Sequence, residues 1–256
     1  MKRVLTAALL VPLVVYTVIW ANVWVFLAVV ALVAVLSYRE YDTIAAAYGF
    51  GAPGAVGYGA GLLLLLVPAH GGMVILGAAL AALVVSLRSA ELAHALPRTA
   101  LLVLGVVYIF GCWRCAIVLH GFGVHWLMYA LLVSWTGDIG AYYVGKAFGR
   151  HRMADRISPK KSWEGAAASV VTSVLVAGAY LVHFVPGVNI AAAVLLTAAA
   201  NMAGQVGDLV ESAMKRGAGV KDSGGLLPGH GGFLDRVDSA LFVMPVVAGW
   251  LFAVKR

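Results

Sequence analysis

The sequence predicts an all-α, polytopic integral membrane protein. Of its 256 residues, 62% are hydrophobic and 11% are charged, whereas about a quarter of the residues in a soluble domain are charged. The mean hydropathy is +0.95. Apolar runs reach or approach the ~20 residues that a helix needs to cross a bilayer, and no run alternates like a strand of a membrane β-barrel. These observations together indicate a bundle of membrane-spanning helices.

Apolar runs bounded by turn and charge signals predict about nine spans. The first follows Met1-Lys2-Arg3 and resembles a signal peptide. However, no small-residue cleavage site opens a polar segment after it, so we expect a retained first helix. The predicted spans are residues 4–20, 22–37, 54–69, 72–87, 99–119, 124–145, 165–185, 189–213 and 236–254.

The cationic residues predict how these spans are oriented. Lys and Arg in short loops gather on the cytoplasmic side of a membrane. With nine spans, only Lys255 and Arg256 fall opposite the other cations, which predicts a cytoplasmic N-terminus and an external C-terminus. The cations on the cytoplasmic side are Lys2, Arg3, Arg39, Arg88, Arg98, the cluster from 146 to 161, Lys215, Arg216 and Lys221.

Two features that suggest other classes of protein have simpler explanations. The net charge is +7, but the cations lie between hydrophobic spans and are not expected to form a water-facing basic surface. We therefore predict no nucleic-acid partner. Cys112 and Cys115 have CxxC spacing without a second ligand pair, so we expect neither a zinc site nor redox chemistry.

Arg114 is a costly intramembrane cation and a candidate for function. The favoured interpretation is structural: the side chain reaches the membrane surface or pairs with another group.

The polar chemistry is concentrated in the second half of the chain. Residues 1–120 are mostly Ala, Leu, Val and Gly, whose small members allow close helix packing in lipid. In residues 121–256, acidic and basic residues collect at the cytoplasmic ends of three helices and in the two loops between them. We therefore predict packing helices in the first part and a site at the cytoplasmic face in the second.

The first of these loops has the chemistry of a phosphate site. Asp138 lies in an otherwise apolar helix, where we expect a buried carboxylate that needs a partner. The following loop places hydroxyls and cations, Ser158, Lys160, Lys161 and Ser162, before the next helix. Ammonium groups and the free amides of a helix N-terminus both favour phosphate. Orientation signals and contacts with anionic lipids are the alternative interpretations of such a basic loop.

The second loop has the chemistry of a magnesium site. Helical spacing places Gln205, Asp208 and Ser212 on one face. Asp235 and Asp238 are three residues apart at the start of the last span, so both can project toward one point. Carboxylates of this kind suit Mg²⁺ when phosphate oxygens and water complete the shell. The intervening glycines are predicted to let the backbone approach a ligand closely.

At these residues the sequence resembles the phosphatidate cytidylyltransferase family. The resemblance covers about residues 134 to 240. Ser162 replaces a Thr and keeps its hydroxyl, and Asp155 replaces a common proline. The residues that carry the resemblance are Ser212, Lys215, Arg216, Lys221, Asp222, His230, Gly231, Gly232, Asp235, Arg236 and Asp238, together with Gly137, Asp138 and the segment from Ser158 to Gly165.

The resemblance implies a reaction and a set of roles. The phosphate of phosphatidic acid would attack the α-phosphorus of CTP, giving CDP-diacylglycerol and pyrophosphate, with Mg²⁺ as cofactor and a second cation left open. Asp208 and Asp235 are expected to bind metal, with Asp238 and Gln205 binding it directly or through water. Catalysis is assigned to Asp208, Asp235, Asp238 and Lys221. Phosphates of CTP or of the lipid are assigned to Ser158, Lys160, Lys161, Ser162, Lys215, Arg216 and Lys221, and Asp138 is a further cofactor-binding residue and the next candidate for the metal.

Several alternatives stay open at this point. His230 suits either a proton carrier or a hydrogen bond that shapes its loop. A CTP-dependent lipid kinase shares a membrane site, CTP and metal, but it releases CDP. A transporter would use Asp138 and Asp208 as ion-pathway residues, although no internal repeat supports one. The expected partners are CTP, phosphatidic acid and the bilayer, with a homodimer left open, and the absence of an N-terminal extension predicts a bacterial inner membrane.

Overall fold

The structure of the protein is a computed structural model, and it describes residues 2–51, 54–67, 71–87, 91–226 and 231–254. Side chains are described from residue 9 onward. The predicted all-α fold is confirmed, with one addition. Strands β1 (Arg152–Ala154) and β2 (Ser158–Ser162) form a small antiparallel hairpin that the sequence did not predict.

Each predicted span overlaps a helical segment of the described chain. Short π-helical turns extend α2 and join α5 to α6 and α8 to α9. The helices are α1 (Lys2–Ile19), α2 (Val23–Ala45), α3 (Gly54–Leu66), α4 (Gly71–Ser86), α5 (Ala95–Gly105), α6 (Cys112–Phe122), α7 (Val124–Phe148), α8 (Trp163–Ser173), α9 (Ala179–Phe184), α10 (Ile190–Gly217) and α11 (Asp238–Val254).

The helices support an integral membrane protein. Among the described residues, 4 helical segments are long and apolar enough to cross a bilayer. Four further helices or parts of helices are apolar but shorter. The count of nine spans and their orientation stay predictions. The long segments are Val23–Phe50, Leu92–Phe122, Trp163–Phe184 and Ile190–Gly217.

The chain divides into two compact units. Unit one contains Met1–Ala8, Asn22–Arg114 and Met214–Arg236. Unit two contains Leu9–Ala21, Cys115–Ala213 and Val237–Arg256. The division of roles predicted at residue 120 stays a prediction.

In unit one, glycines let helices pack closely, as the sequence predicts. A Cβ on Gly57 would collide with the Tyr38 hydroxyl, and one on Gly61 would collide with the Phe110 ring. Arg114 donates from Nη1 to the carbonyls of Leu64 and Leu65, each at 3.1 Å. These carbonyls lie in the last turn of α3, where helices leave backbone acceptors unsatisfied. The contacts favour the structural interpretation of Arg114.

In unit two, a buried polar network joins α7, α8 and α10. Asn201 is 3% exposed and donates to Ser169 Oγ (3.0 Å) and Ser173 Oγ (2.9 Å). Ser173 in turn donates to the carbonyl of Val133 at 2.8 Å. Gly137 makes room for this network, since a Cβ there would lie 2.7 Å from Ser169 Oγ. Satisfied networks of this kind hold helices in one register.

Candidate active site

Most of the predicted site residues of unit two line one cavity. Its volume is about 670 Å³, and its walls come from α7, the hairpin, α8, α10 and the start of α11. Both signs of charge are present on these walls. The charged and polar side chains that line the cavity include Asp138, Lys146, Arg152, Lys160, Lys161, Ser162, Gln205 and Asp208.

The hairpin brings its cations and hydroxyl to the cavity in a fixed arrangement. Lys161 pairs with Asp208 of α10 at 2.7 Å. Ser162 ends β2 and caps α8, accepting a hydrogen bond from the Gly165 amide at 3.2 Å. The Ser162 oxygen is the acceptor in this bond, so its hydrogen remains a donor for another group. The loop therefore presents cations and a hydroxyl beside a helix N-terminus, as predicted.

Glu164, in the first turn of α8, fastens the chain that enters the hairpin. Its carboxylate accepts hydrogen bonds from the backbone amide of Arg150 (3.1 Å) and from the His151 amide (3.3 Å). The His151 ring nitrogen Nδ1 lies 2.6 Å from the same carboxylate. These contacts hold the start of the hairpin against α8, which forms part of the cavity wall.

Gln205 and Asp208 face the cavity from α10. Gln205 donates from Nε2 to Asn201 Oδ1 (2.7 Å) and to the Ala166 carbonyl (3.1 Å). An amide nitrogen has two hydrogens, so the amide is oriented and its oxygen is the group that can accept from a ligand or bind a cation. Ser212 donates to Asp208 Oδ1 at 3.3 Å, which agrees with the predicted common face.

Several acidic side chains lie near Asp238, at the start of α11. The charges of Asp208, Glu211 and Asp138 each interact with the carboxyl group of Asp238, the first residue of α11. Glu211 is fully buried. Asp138 corrects the expectation of a buried carboxylate, because its side chain is exposed and lines the cavity. Like charges repel one another, so a cation beside this group would stabilise it, as Lys161 does for Asp208.

The described residues have part of what magnesium requires. Within them, no three Asp, Glu, His or Cys side chains converge as a complete ligand set. Magnesium in phosphate chemistry commonly uses one or two carboxylates and takes its other ligands from water and substrate phosphates. The donors Asp208, Asp238 and the Gln205 oxygen fit that requirement. The predicted metal set is distributed over both units, with Asp235 in unit one.

In unit one, Asp235 lies at the centre of its own hydrogen-bond group. It forms an ion pair with the buried Lys215 of α10. Its Oδ2 accepts from the amides of Ser223 (3.0 Å) and Gly232 (2.8 Å). Burial favours the neutral acid, but Lys215 and the two amides outweigh it and hold the pKa of Asp235 below its ordinary value. Asp235 is thus a fixed, charged carboxylate.

The other predicted residues occupy several environments. Arg216 and Lys221 are exposed in unit one, and Arg216 donates to the Val220 carbonyl at 3.4 Å. Ser158 pairs with Ala154 at the far end of β2 from Ser162. His230 lies outside the described residues.

Sequence reasoning missed Glu40. This residue of α2 is buried, and it accepts hydrogen bonds from the loop that carries Asp235. Glu40 follows the predicted span 22–37 and stands between Arg39 and Asp42, so its surroundings resemble those of a loop residue. It was overlooked because the other charged motifs lie much later in the chain.

The model of the cytidylyltransferase family matches residues 1–254. The chain belongs to this family. The match includes the cavity of unit two and the Asp235 loop of unit one, so the resemblance seen at the charged motifs is confirmed.

Relatives of known name are similar to part of the chain. The phosphatidate cytidylyltransferase of Staphylococcus haemolyticus is 46% identical over 125 residues, which cover 49% of this chain and 48% of that protein. That of Bacillus subtilis is 44% identical over 146 residues, covering 56% and 54%. That of Staphylococcus aureus is 45% identical over 125 residues, covering 49% and 48%. The chain spans about half the length of the curated relatives it matches.

Proposed function

We propose that this member of the cytidylyltransferase family transfers the cytidylyl group of CTP to phosphatidic acid, giving CDP-diacylglycerol and pyrophosphate. The observation that carries the proposal is the cavity of unit two, which Lys160, Lys161 and Ser162 line together with the carboxylates of α7 and α10. A triphosphate needs cations and donors, and a metal bound to a triphosphate needs carboxylates. The names of the relatives favour this substrate pair.

The chain's own groups would bind and orient the phosphates. Lys160, Lys161 and the Ser162 hydroxyl would hold phosphate oxygens at the N-terminus of α8. The phosphate of phosphatidic acid is already ionised, so no side-chain nucleophile is needed. One of its oxygens forms a bond to the α-phosphorus of CTP as the bond from that phosphorus to the leaving pyrophosphate breaks. Positioning the two phosphates in line is then the main task of the protein.

We further propose Mg²⁺ as cofactor, held by Asp208 and Asp238 with the oxygen of Gln205. When bound, it would supply charge neutralisation at the phosphate oxygens and alignment of the reacting groups. The concentration of carboxylates around Asp238 supports this assignment. Roles for Asp235 and for a second cation stay predictions from the resemblance.

The two substrates differ in solubility, which bears on where the cavity opens. CTP is soluble, whereas the acyl chains of phosphatidic acid stay in the bilayer. Ile139, beside the cavity residue Asp138, is 58% exposed, as expected for a helix surface that meets lipid. We therefore propose a lateral opening toward lipid, a cytoplasmic active site, and a location in a bacterial inner (plasma) membrane.

The proposal is tested with purified protein in detergent, phosphatidic acid, Mg²⁺ and labelled CTP. We expect lipid-linked cytidine and pyrophosphate to form in equal amounts. Asp208→Asn should lower the rate at least about a hundredfold, whereas Asp155→Asn, at the exposed turn of the hairpin, should keep wild-type activity. Formation of CDP with a phosphorylated lipid would replace the proposal with a lipid kinase. Equal loss in both variants would refute the site.

A further inference from the structure

Within the described residues, three hydrogen bonds reach the carboxylate of Glu40, and all come from one loop of unit one. Ser223 Oγ and the Leu234 amide donate to Oε2, each at 2.7 Å. The Phe233 amide donates to Oε1 at 2.8 Å. Glu40 is 3% exposed, and a carboxylate buried this deeply is stable only where donors surround it.

Two glycines of this loop leave room for the Glu40 carboxylate because they have no side chain. A Cβ on Gly224 would lie 2.5 Å from Oε1 and 2.8 Å from the carboxyl carbon of Glu40. A Cβ on Gly232 would collide with Oε2 of Glu40 and with Ser223 Oγ. By contrast, a Cβ on Gly225 would meet nothing within 4 Å. At two positions, therefore, the missing side chain admits a carboxylate of the protein itself.

Ser223 links Glu40 to Asp235. Its Oγ lies 2.7 Å from Glu40 Oε2 and 3.0 Å from Asp235 Oδ2. Its backbone amide also donates to Asp235 Oδ2, and the Asp235 amide donates back to Ser223 Oγ at 3.3 Å. Whatever moves the Glu40 carboxylate must therefore move the group that surrounds Asp235.

We propose that Glu40 is a positioning residue for cytidylyl transfer: it fixes the loop that carries Lys221 and Asp235 and so holds the Asp235 carboxylate in place. The inference rests on the proposed function, in which these two residues belong to the catalytic set. Glu40 is enclosed by protein and acts through Asp235. A purely structural bond between α2 and the loop is the competing explanation.

Hydrogen exchange tests whether Glu40 fixes the loop. We expect the amides of Phe233 and Leu234 to exchange at least about tenfold faster in Glu40→Gln, because one amide oxygen cannot replace both carboxylate oxygens. The matched control is Asp42→Asn on the same helix, whose carboxylate accepts from the Gly54 amide at 3.0 Å. It should leave these two amides unchanged. Unchanged exchange in Glu40→Gln would overturn the proposal.

A pair of neighbouring glycines gives a second test that leaves Glu40 intact. Gly224→Ala should displace the carboxylate and speed exchange at Phe233 and Leu234, whereas Gly225→Ala should have no effect. If Glu40→Gln does not fold, the two alanine variants still test whether Glu40 fixes the loop. Equal exchange in the two alanine variants would contradict the proposal, since Gly224 lies against Glu40 and Gly225 does not.

Kinetics separate positioning from a purely structural role. Glu40→Gln should lower kcat about a hundredfold, with little change in KM for CTP and an unchanged size-exclusion profile. In an Asp235→Asn background it should cause no further loss, because both changes act on the same group. Additive losses, or normal turnover with a loosened loop, would overturn the positioning role. If the wild-type protein makes no lipid-linked cytidine, the proposed function fails, and the exchange result alone decides whether Glu40 fixes the loop.

Discussion

The ammonium group of Lys161 lies 2.7 Å from the carboxylate of Asp208 and joins the hairpin to α10 in the wall of the unit-two cavity. Each residue is also a predicted ligand group, Lys161 for phosphate and Asp208 for metal. The pair therefore keeps two opposite charges close together on the cavity wall, at the site proposed for the triphosphate and its metal.

Replacing Lys161 should damage the reaction more than replacing Arg156, a cation at the exposed turn of the hairpin. We expect Lys161→Ala to lower kcat/KM for CTP about a hundredfold, since a preorganised cation at the phosphates is lost. Arg156→Ala, at the exposed turn of the hairpin, is the matched control and should change kcat/KM little. Steady-state kinetics at fixed phosphatidic acid measure both. Similar losses in the two variants would contradict a specific role for Lys161.

The cap of α8 should contribute to stability. Ser162→Ala removes the acceptor of the Gly165 amide and should lower the free energy of unfolding by about 1 kcal/mol. Ser162→Thr keeps the acceptor and should stay close to wild type. Thermal unfolding in detergent compares the two variants. A threonine variant as unstable as the alanine variant would show that the hydroxyl does not cap the helix.

Gly137 should tolerate no side chain. A Cβ at this position would collide with Asn201 and crowd Ser169, so Gly137→Ala should destabilise the protein by about 1 to 3 kcal/mol. Gly121→Ala in α6 is the control, because a Cβ there would meet nothing within 4 Å. Unfolding measurements that give equal stability for both variants would show that the polar network does not depend on this close approach.

Arg114 should matter for stability and not for chemistry. Arg114→Ala leaves the Leu64 and Leu65 carbonyls without this donor and should lower the free energy of unfolding by about 1 to 3 kcal/mol. The folded fraction should keep the wild-type kcat. Activity normalised to folded protein checks this expectation. A normally stable variant without activity would instead make Arg114 part of the active site.

The sequence predicted the helices well because membrane helices are long apolar runs, and such runs are visible without tertiary information. The charged motifs also led to the cavity, since Lys161, Ser162, Gln205 and Asp208 all line it. The hairpin was missed because Ser158–Ser162 is a short, polar strand without the alternating pattern of longer strands. Asp138 was expected to be buried because the apolar sequence around it does not reveal a cavity.

Glu40 shows why part of the site could not be predicted from the sequence. Its partners Ser223, Phe233 and Leu234 are remote along the chain, and only tertiary structure brings them together. The glycines near them were predicted to admit a ligand. At Gly224 and Gly232 the group that approaches is a carboxylate from α2. A glycine-rich sequence indicates that some group comes close to the backbone, but it does not identify that group.

The most direct test of the central claim follows each phosphate of CTP separately. Purified protein is given phosphatidic acid and Mg²⁺ with CTP labelled at the α-phosphate, and in a parallel reaction with CTP labelled at the γ-phosphate. If the protein transfers the cytidylyl group, the α-label enters the lipid and the γ-label appears in pyrophosphate, in equal amounts and at a rate that falls in Asp208→Asn. Transfer of the γ-label to the lipid, with the α-label left in CDP, would contradict it.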